Sequence, residues 1–325
     1  MTAYAIFAPE PCGADRLERR EIAVPAPGPG EILIRQTAIG VNFLDVYFRT
    51  GLYPWPVERD LILGSEGAGA VEAVGDGVSG FAPGDRVAYT VPNGAYASHR
   101  IVPAAALVHL PGGVADAQAA AAMLKGLTVH YLINNSYAVQ PGDTVLFHAA
   151  AGGVGQLAGQ WLNARGVRAI GTAGGPEKCA LARACGYDAV IDYRAEDFVA
   201  RVHELTGGEG VAAVYDGVGH DTILGSAECL RRFGTLVSFG QASGAPDQFR
   251  IAHLAPKSAR VTRPTLFHHT ASRDWLERAS AELFAAIADG TLRIAIDGPH
   301  PLAEAARVHG ELETRRTTGS VILAP

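Results

Sequence analysis

A glycine-rich junction between a strand and a helix, at residues 144–166, constrains this chain more than any other segment. It reads TVLFHAAAGGVGQLAGQWLNARG, an apolar run followed by Gly152, Gly153 and Gly155. Hydrophobic residues then recur at helical spacing and predict one buried stripe, which comprises Val154, Leu157, Ala158, Trp161 and Leu162. Glycines at such a junction let backbone N–H groups at the helix start approach a phosphate. The segment therefore predicts a dinucleotide site rather than an ordinary turn.

Apolar runs alternate with helical stretches after this junction. The runs cover residues 144–150, 167–173, 189–193, 211–219 and 234–240. Strands that alternate with helices are typical of βαβ units, which place a parallel sheet between two layers of helices. The sequence therefore predicts an α/β domain in this part of the chain.

The segment before about residue 125 has a different pattern. Short apolar runs are separated by glycine and proline, which predicts a compact β-rich module. After about residue 265 the chain has a long helical stretch and ends in the apolar run SVILAP. This tail is too short to form a domain alone, so we expect it to complete the N-terminal module.

The residues after the second apolar run indicate which dinucleotide is bound. An NAD site usually has an acidic residue about 20 residues beyond the glycines, where it binds the ribose 2′-hydroxyl. Here the strand runs into GTAGGPEK, in which Glu177 comes late and Lys178 follows it. A lysine with a nearby phenol, Tyr193, suits a 2′-phosphate, so the sequence favours NADPH.

Composition disfavours several other classes of protein. The formal net charge is -6 and basic residues are dispersed, which argues against binding to nucleic acid or to an anionic membrane. The four cysteines form no CxxC pair, which indicates free thiols in a reducing compartment. No secretory leader or membrane-spanning run is recognisable, so we expect a cytoplasmic protein.

Motifs for other chemistry are missing from the sequence. It has no GxSxG, HExxH or CxxC segment. Asp45 and Glu66 could act as a pair of carboxylates, but the pattern favours a strand-end cap and a buried turn carboxylate.

Several longer segments resemble the quinone oxidoreductases of the medium-chain dehydrogenase/reductase superfamily, the zeta-crystallin-like group. These segments are GVNFLDVYFRTGLYP, LGSEGAGAVEAVG, PGDRVAY, LKGLTVHYL, VLFHAAAGGVGQLAGQW and GTLVSFG. The resemblance extends over essentially the whole chain. It implies a GroES-like β-rich catalytic domain at residues 1–126, a Rossmann domain with a doubly wound parallel sheet at 127–265, and a C-terminal segment at 266–325 that completes the catalytic domain.

Two positions depart from the zinc alcohol dehydrogenases of the wider superfamily. Asn42 stands where those enzymes have a cysteine ligand, and Ser65 where they have a histidine ligand. An amide and a hydroxyl are poor zinc ligands. We therefore expect no metal, and expect an acceptor such as a quinone that is electrophilic without Lewis-acid activation.

The resemblance also implies a set of site residues. Those expected at the reaction site are Asn42, Asp45, Tyr47, Tyr53 and Thr128. Those expected to bind the cofactor are Tyr131, Gly152, Gly153, Val154, Gly174, Lys178, Tyr193, Phe239, Gly240, Gln241, Arg263 and Arg315. Gly217 stands where relatives often have a serine, so one hydroxyl contact to the cofactor is not expected here.

The sequence therefore predicts an NADPH-dependent quinone reductase that transfers hydride directly, without metal or flavin. The alternative is an NADPH-dependent reductase of activated C=C bonds in 2-alkenals or enones. A third possibility, an RNA-binding or structural protein of the crystallin type, is disfavoured by the acidic balance of charge. The resemblance further implies a homodimer, with edge strands of the Rossmann sheets pairing near GTLVSFG.

Overall fold

A computed structural model describes residues 2–314, 317 and 319–325, and it confirms the predicted α/β fold class. The strands are β1 Tyr4–Ala8, β2 Glu18–Glu21, β3 Glu31–Gly40, β4 Leu61–Ile62, β5 Glu66–Val74, β6 Arg86–Thr90, β7 His99–Pro103, β8 Leu107–His109, β9 Thr144–Phe147, β10 Arg168–Ala173, β11 Ala189–Asp192, β12 Val211–Asp216, β13 Leu230–Ser238, β14 Arg260–Thr262, β15 Ile296–Pro301 and β16 Ser320–Ala324. The α-helices are α1 Phe43–Arg49, α2 Asp116–Tyr131, α3 Gly153–Ala164, α4 Pro176–Ala184, α5 Phe198–Leu205, α6 Ile223–Glu228, α7 Leu266–Thr270, α8 Arg273–Ala288 and α9 Ala305–Glu313. None of these helices in the described part of the chain is long and apolar enough to cross a membrane.

Contacts divide the chain into two compact units. Unit 1 comprises residues 1–127, 267–290 and 294–325, and unit 2 comprises residues 128–266 and 291–293. In unit 1, β3 pairs antiparallel with β5 and also with β16 from the end of the chain. The core between these strands contains Ile32, Ile34, Ile39, Val71 and Leu323, all buried.

Unit 2 contains the parallel sheet. Its strand order is β11-β10-β9-β12-β13-β14, and every described pair of neighbours is parallel. Since β9 lies between β10 and β12, the segments that follow these three strands meet at one edge of the sheet. Ligands of open parallel sheets bind at this carboxyl edge.

The GTLVSFG segment, near which edge strands are expected to pair two copies of the chain, is not itself at the edge of the sheet. The GTLVSFG segment supplies the end of β13, which is paired with β12 on one side and β14 on the other. The edge strands of the described sheet are β11 and β14. The edge strand next to this segment is β14, which the sequence did not reveal because its three residues give too short a pattern, and the pairing of two copies stays a prediction.

Candidate functional site

The glycine loop lies between β9 and α3, as the sequence predicts. Gly152 is the N-cap of α3, and its backbone N–H donates to the carbonyl of Ala149 at 2.9 Å. Ala149 has a φ of 54°, a left-handed conformation that non-glycine residues rarely adopt. A Cβ on Gly155 would lie 2.7 Å from the Cα of Ala150, so only glycine fits there. Because the turn is tight, the backbone N–H groups at the start of the twelve-residue helix α3 are suited to bind an anion.

A buried hydrogen-bond network fixes the strand ends beneath this loop. His148, directly after β9, joins Thr172 Oγ1 through Nδ1 at 2.9 Å and Ser226 Oγ through Nε2 at 3.0 Å. Ser226 donates to Asp216 Oδ2 at 2.7 Å. Burial lowers the pKa of His148, although the carboxylate of Asp216 opposes this shift, so the imidazole is neutral near pH 7. The network ties β9, β10 and β12 together at the edge where the loop begins.

Three predicted cofactor residues lie at the ends of β10 and β11. Gly174 follows β10, and a Cβ on it would lie 2.7 Å from the Cζ of Tyr193. Tyr193 follows β11 and its side chain is exposed. Lys178 lies on α4, which begins two residues after Gly174. The structure therefore brings Gly174 and Tyr193 into contact and places Lys178 on the helix that follows.

Asp192, at the end of β11, organises the backbone beside Tyr193. Its Oδ1 accepts the N–H of Gly175 at 2.9 Å and the N–H of Arg194 at 3.0 Å. These two backbone donors lower the pKa of the Asp192 carboxyl. A Cβ on Gly174 would lie 3.2 Å from the Nε of Arg194. The guanidinium of Arg194 is therefore a positive charge close to Gly174.

The segment after β13 packs against the turn after β12. A Cβ on Gly217 would lie 2.8 Å from the Cζ of Phe239, and a Cβ on Gly240 would lie 2.6 Å from the carbonyl oxygen of Gly217. A serine at position 217 would therefore overlap the Phe239 ring. This contact explains why the chain has glycine there. Gln241 continues the same segment and is half-buried.

The remaining predicted cofactor residues are spread along unit 2 and the C-terminal tail. Tyr131 lies at the end of α2, three residues after Thr128 of the predicted reaction site, and both are buried. Arg263 follows β14, and its Nη1 donates to the carbonyl of Ser238 at 3.1 Å. Arg315 lies outside the described residues, so its role stays a prediction.

In unit 1, Asn42 lies between two buried carboxylates. Its backbone N–H donates to Asp45 Oδ2 at 2.8 Å, and its Nδ2 donates to Glu66 Oε1 at 2.8 Å. Glu66 also accepts the Lys125 ammonium at 2.9 Å and the backbone N–H of Leu124 at 2.6 Å. The structure thus gives both carboxylates the kind of role that the sequence favours, since Asp45 caps the start of α1 and Glu66 is a buried, paired carboxylate.

Asp45 is fully buried and has only uncharged hydrogen-bond partners. Its Oδ1 accepts the Ser65 hydroxyl at 3.1 Å, and its Oδ2 accepts the Tyr96 hydroxyl at 3.1 Å as well as the Asn42 N–H. Burial raises the pKa of Asp45 to about 7, and these donors lower it only in part. The carboxyl can therefore change its protonation state near neutral pH.

Two tyrosines of the predicted site lie together at the end of α1. The rings of Tyr47 and Tyr53 are 5.2 Å apart, and the backbone N–H of Tyr53 donates to the carbonyl of Tyr47 at 3.1 Å. Both side chains are half-buried. The two rings form an aromatic surface at the end of α1, the helix that begins directly after Asn42.

The side chains of unit 1 do not fit a zinc ion. Asn42 and Ser65, which stand where alcohol dehydrogenases have ligands, use their polar atoms to bind Glu66 and Asp45. Across residues 2–314, 317 and 319–325, no group of three or more His, Cys, Asp or Glu side chains could hold a metal ion. The positive charge of this buried cluster is the ammonium of Lys125.

Sequence reasoning missed several members of these two networks. Lys125 had a usable signal, because it is a charged residue within the apolar helical segment AAAAMLKGLTVHYL. His148 precedes the glycine loop directly, but its partners follow other strands. Tyr96 and His309 are separated by 213 positions, and no local pattern joins them.

The two units together define a class of protein, a reductase with a GroES-like unit and a Rossmann-type unit. A sequence model of the alcohol dehydrogenase GroES-like domain matches residues 28–112. A sequence model of the zinc-binding dehydrogenases matches residues 153–283. These matches fall on the antiparallel strands of unit 1 and on the region that begins at the glycine loop.

Similarity to individual proteins specifies the family within this class. A quinone oxidoreductase of Pseudomonas aeruginosa is 50% identical over 96% of this chain and 97% of its own length. A 2-haloacrylate reductase of a Burkholderia species is 41% identical over 96% of each chain. The crystal structure of Escherichia coli quinone oxidoreductase complexed with NADPH is 43% identical, has a TM-score of 0.96, and covers 99% of this chain and 100% of that one. The chain belongs to the quinone oxidoreductase family.

Proposed function

We propose that the protein reduces quinones with NADPH. The observation that supports this most is the glycine-lined start of α3, where Gly155 admits no side chain and Gly152 caps the helix. A relative with the same fold has been crystallised with NADPH. When bound, this cofactor supplies a hydride.

In this proposal, unit 2 binds the cofactor. Gly152, Gly153 and Val154 hold the pyrophosphate through backbone N–H groups at the start of α3. Gly174, Lys178 and Tyr193 hold the 2′-phosphate end, and the guanidinium of Arg194 beside Gly174 supports this assignment. Phe239, Gly240 and Gln241 lie beside the nicotinamide in this proposal, and Tyr131, Arg263 and Arg315 are further contacts to the cofactor.

The reaction-site residues in this proposal are Asn42, Asp45, Tyr47, Tyr53 and Thr128, of which Asp45 is fully buried and holds Asn42 in place. A quinone is already a strong electrophile, so these residues have to position it rather than activate it. Tyr47 and Tyr53 offer an aromatic surface to a flat ring. Asn42 is held in one orientation, because its amide and its backbone N–H bind two different carboxylates.

Steady-state assays with several acceptors test this function. NADPH consumption is measured with 1,4-benzoquinone, with 9,10-phenanthrenequinone and with a 2-alkenal. We expect turnover with the quinones, and a kcat/KM for NADPH about tenfold or more above that for NADH, because one charge-assisted contact to the 2′-phosphate gives a difference of this size. Turnover of the alkenal alone, or equal use of NADH, would contradict the proposal.

The second candidate function is the reduction of activated C=C bonds. It is favoured by one specific observation, the 41% identity to a 2-haloacrylate reductase over nearly the whole chain. The same polar cluster in unit 1 could orient an electron-poor alkene. The alkenal arm of the assay, extended to a 2-haloacrylate, separates this activity from quinone reduction.

We also propose a homodimer, a cytoplasmic location, and a functional division of the chain at residues 126 and 265. The edge strand β14 supports the dimer, since Val261 is 42% exposed on it and the nearby Ile251 is 80% exposed. Light scattering that gives the mass of a single chain would contradict the dimer. The four cysteines, all unpaired, support a reducing compartment.

A further inference from the structure

A chain of buried side chains leads away from Asp45 in unit 1. Tyr96 donates its hydroxyl proton to Asp45 Oδ2 at 3.1 Å. The same hydroxyl oxygen lies 2.9 Å from the Nε2 of His309, and the two rings meet edge to face. While Asp45 is ionised it can only accept, so the single hydroxyl proton of Tyr96 is donated to it and His309 is the donor in the second hydrogen bond. The proton of the neutral imidazole is therefore on Nε2, and Nδ1 is an acceptor.

His309 is held neutral by its surroundings. It is fully buried on α9, and burial together with the nearby charge of Arg49 lowers its pKa to about 3. Arg49 is 1% exposed, and its Nη2 donates to Glu313 Oε1 at 2.6 Å. Since Glu313 follows His309 by one helical turn, the guanidinium lies against the face of α9 that carries His309.

Three buried polar atoms in this region have no partner among the described residues. They are Nε and Nη1 of Arg49, which are donors, and Nδ1 of His309, which is an acceptor. Buried polar groups are almost always paired, directly or through an internal water. The donors and the acceptor are complementary, so an internal water bound by both residues would satisfy them.

We propose that Arg49, His309 and Tyr96 form a one-directional chain of hydrogen-bond donors that ends on Asp45 and determines whether this carboxyl carries a proton. Tyr96 and His309 are positioning residues in this account, since neither is proposed to touch the acceptor. The inference rests on the proposed function only in counting Asp45 among the reaction-site residues.

The other groups that face Asp45 do not take over the effect of the hydrogen-bond chain on its protonation. Ser65 and the Asn42 N–H are uncharged donors that hold the carboxyl in place. Glu66 raises the pKa of Asp45 through its negative charge, and Lys125 is paired with Glu66. The Arg49 end of the chain is therefore the part that can favour the carboxylate at a distance.

The titration of Asp45 itself tests the proposal without cofactor or acceptor. The protein is labelled with ¹³C at aspartate carboxyls, and an Asp45→Asn variant assigns the signal in NMR spectra from pH 5 to 9. We expect a midpoint near 7 in the native chain. Tyr96→Phe should raise it by about one unit, since the carboxylate loses a donor. His309→Leu should raise it by less, and His309→Gln, which keeps an N–H near the Nε2 position, should restore it.

The outcomes separate this inference from the proposed function. A midpoint that moves in neither Tyr96→Phe nor His309→Leu, or only in Tyr96→Phe, would overturn the chain. So would an Asp45 that does not titrate between pH 5 and 9. ¹⁵N spectra of the histidines provide a second measure, and a proton on Nδ1 of His309 while Asp45 is ionised would also overturn it.

A pH profile of turnover then connects the chain to the reaction. The reduced acceptor gains a hydride from NADPH and one proton. In this account the proton comes from Asp45 through the groups that cover this buried carboxyl, and the carboxylate then regains a proton that comes from water. Activity should therefore fall as the pH rises through the measured midpoint, and the fall should shift with the midpoint in Tyr96→Phe. If the pH profile of turnover did not shift while the NMR midpoint did, the hydrogen-bond chain would still be supported, but Asp45 would not be the source of the proton in the reaction.

Discussion

The two units use polar groups in opposite ways. Unit 1 buries charged side chains, since Glu66 and Asp45 are 0% exposed and Lys125 is 6% exposed. Unit 2 builds its candidate phosphate site from backbone N–H groups and from cations at the surface. Its fully buried carboxylate, Asp216, accepts hydrogen bonds from uncharged donors such as Ser226, whereas Asp143, near the surface, pairs with Arg231. Fixed backbone dipoles suit a ligand whose charge is constant, whereas a buried ionisable cluster suits chemistry in which protons are gained or lost.

Removing the buried ammonium of unit 1 should have the largest effect on stability. Lys125→Met leaves Glu66 buried without its cationic partner, and we expect the free energy of unfolding to fall by about 3 kcal/mol. Chemical denaturation measures the change. Arg307→Met, which removes a cation from exposed pairs with Glu304 and Glu311, is the matched control and should leave stability nearly unchanged. If the two substitutions lowered the free energy of unfolding equally, the buried ion pair of unit 1 would contribute no more to stability than an exposed one.

Removing a surface cation of unit 2 should affect binding rather than stability. Lys178→Ala should weaken NADPH binding about tenfold, because a charge-assisted contact to the 2′-phosphate is lost. NADH binding and the free energy of unfolding should stay as they are. Fluorescence titration with each dinucleotide measures the effect, and Glu177→Ala on the same helix is the control. If Lys178→Ala weakened both dinucleotides equally, the 2′-phosphate would have to be recognised by other residues.

The sequence predicted unit 2 better than unit 1, and the reason is physical. The glycine loop is local, because Gly152 and Gly155 serve a turn and a helix start that lie within a few residues of each other. The parallel sheet was also predictable, since each buried strand is a continuous apolar run. The edge strand β14 was missed because three residues do not form a recognisable pattern.

The buried cluster of unit 1 depends on contacts between distant segments. Asn42 and Asp45 were predicted from the resemblance, but Lys125 comes from α2 and His309 from α9. Tyr96 joins Asp45 across 51 positions and His309 across 213. Such a network is specified by the tertiary fold, and neither composition nor residue spacing predicts it.

The central claim is that hydride passes directly from NADPH to a quinone. Anaerobic single-turnover mixing of the NADPH-loaded protein with 1,4-benzoquinone tests this most directly, using NADPH that carries deuterium at one or the other C4 position. The account predicts that one quinone is consumed for each NADPH, and that deuterium slows the reaction at one of these two positions. Oxidation of NADPH without loss of quinone, or equal rates for both labelled forms and unlabelled NADPH, would contradict it.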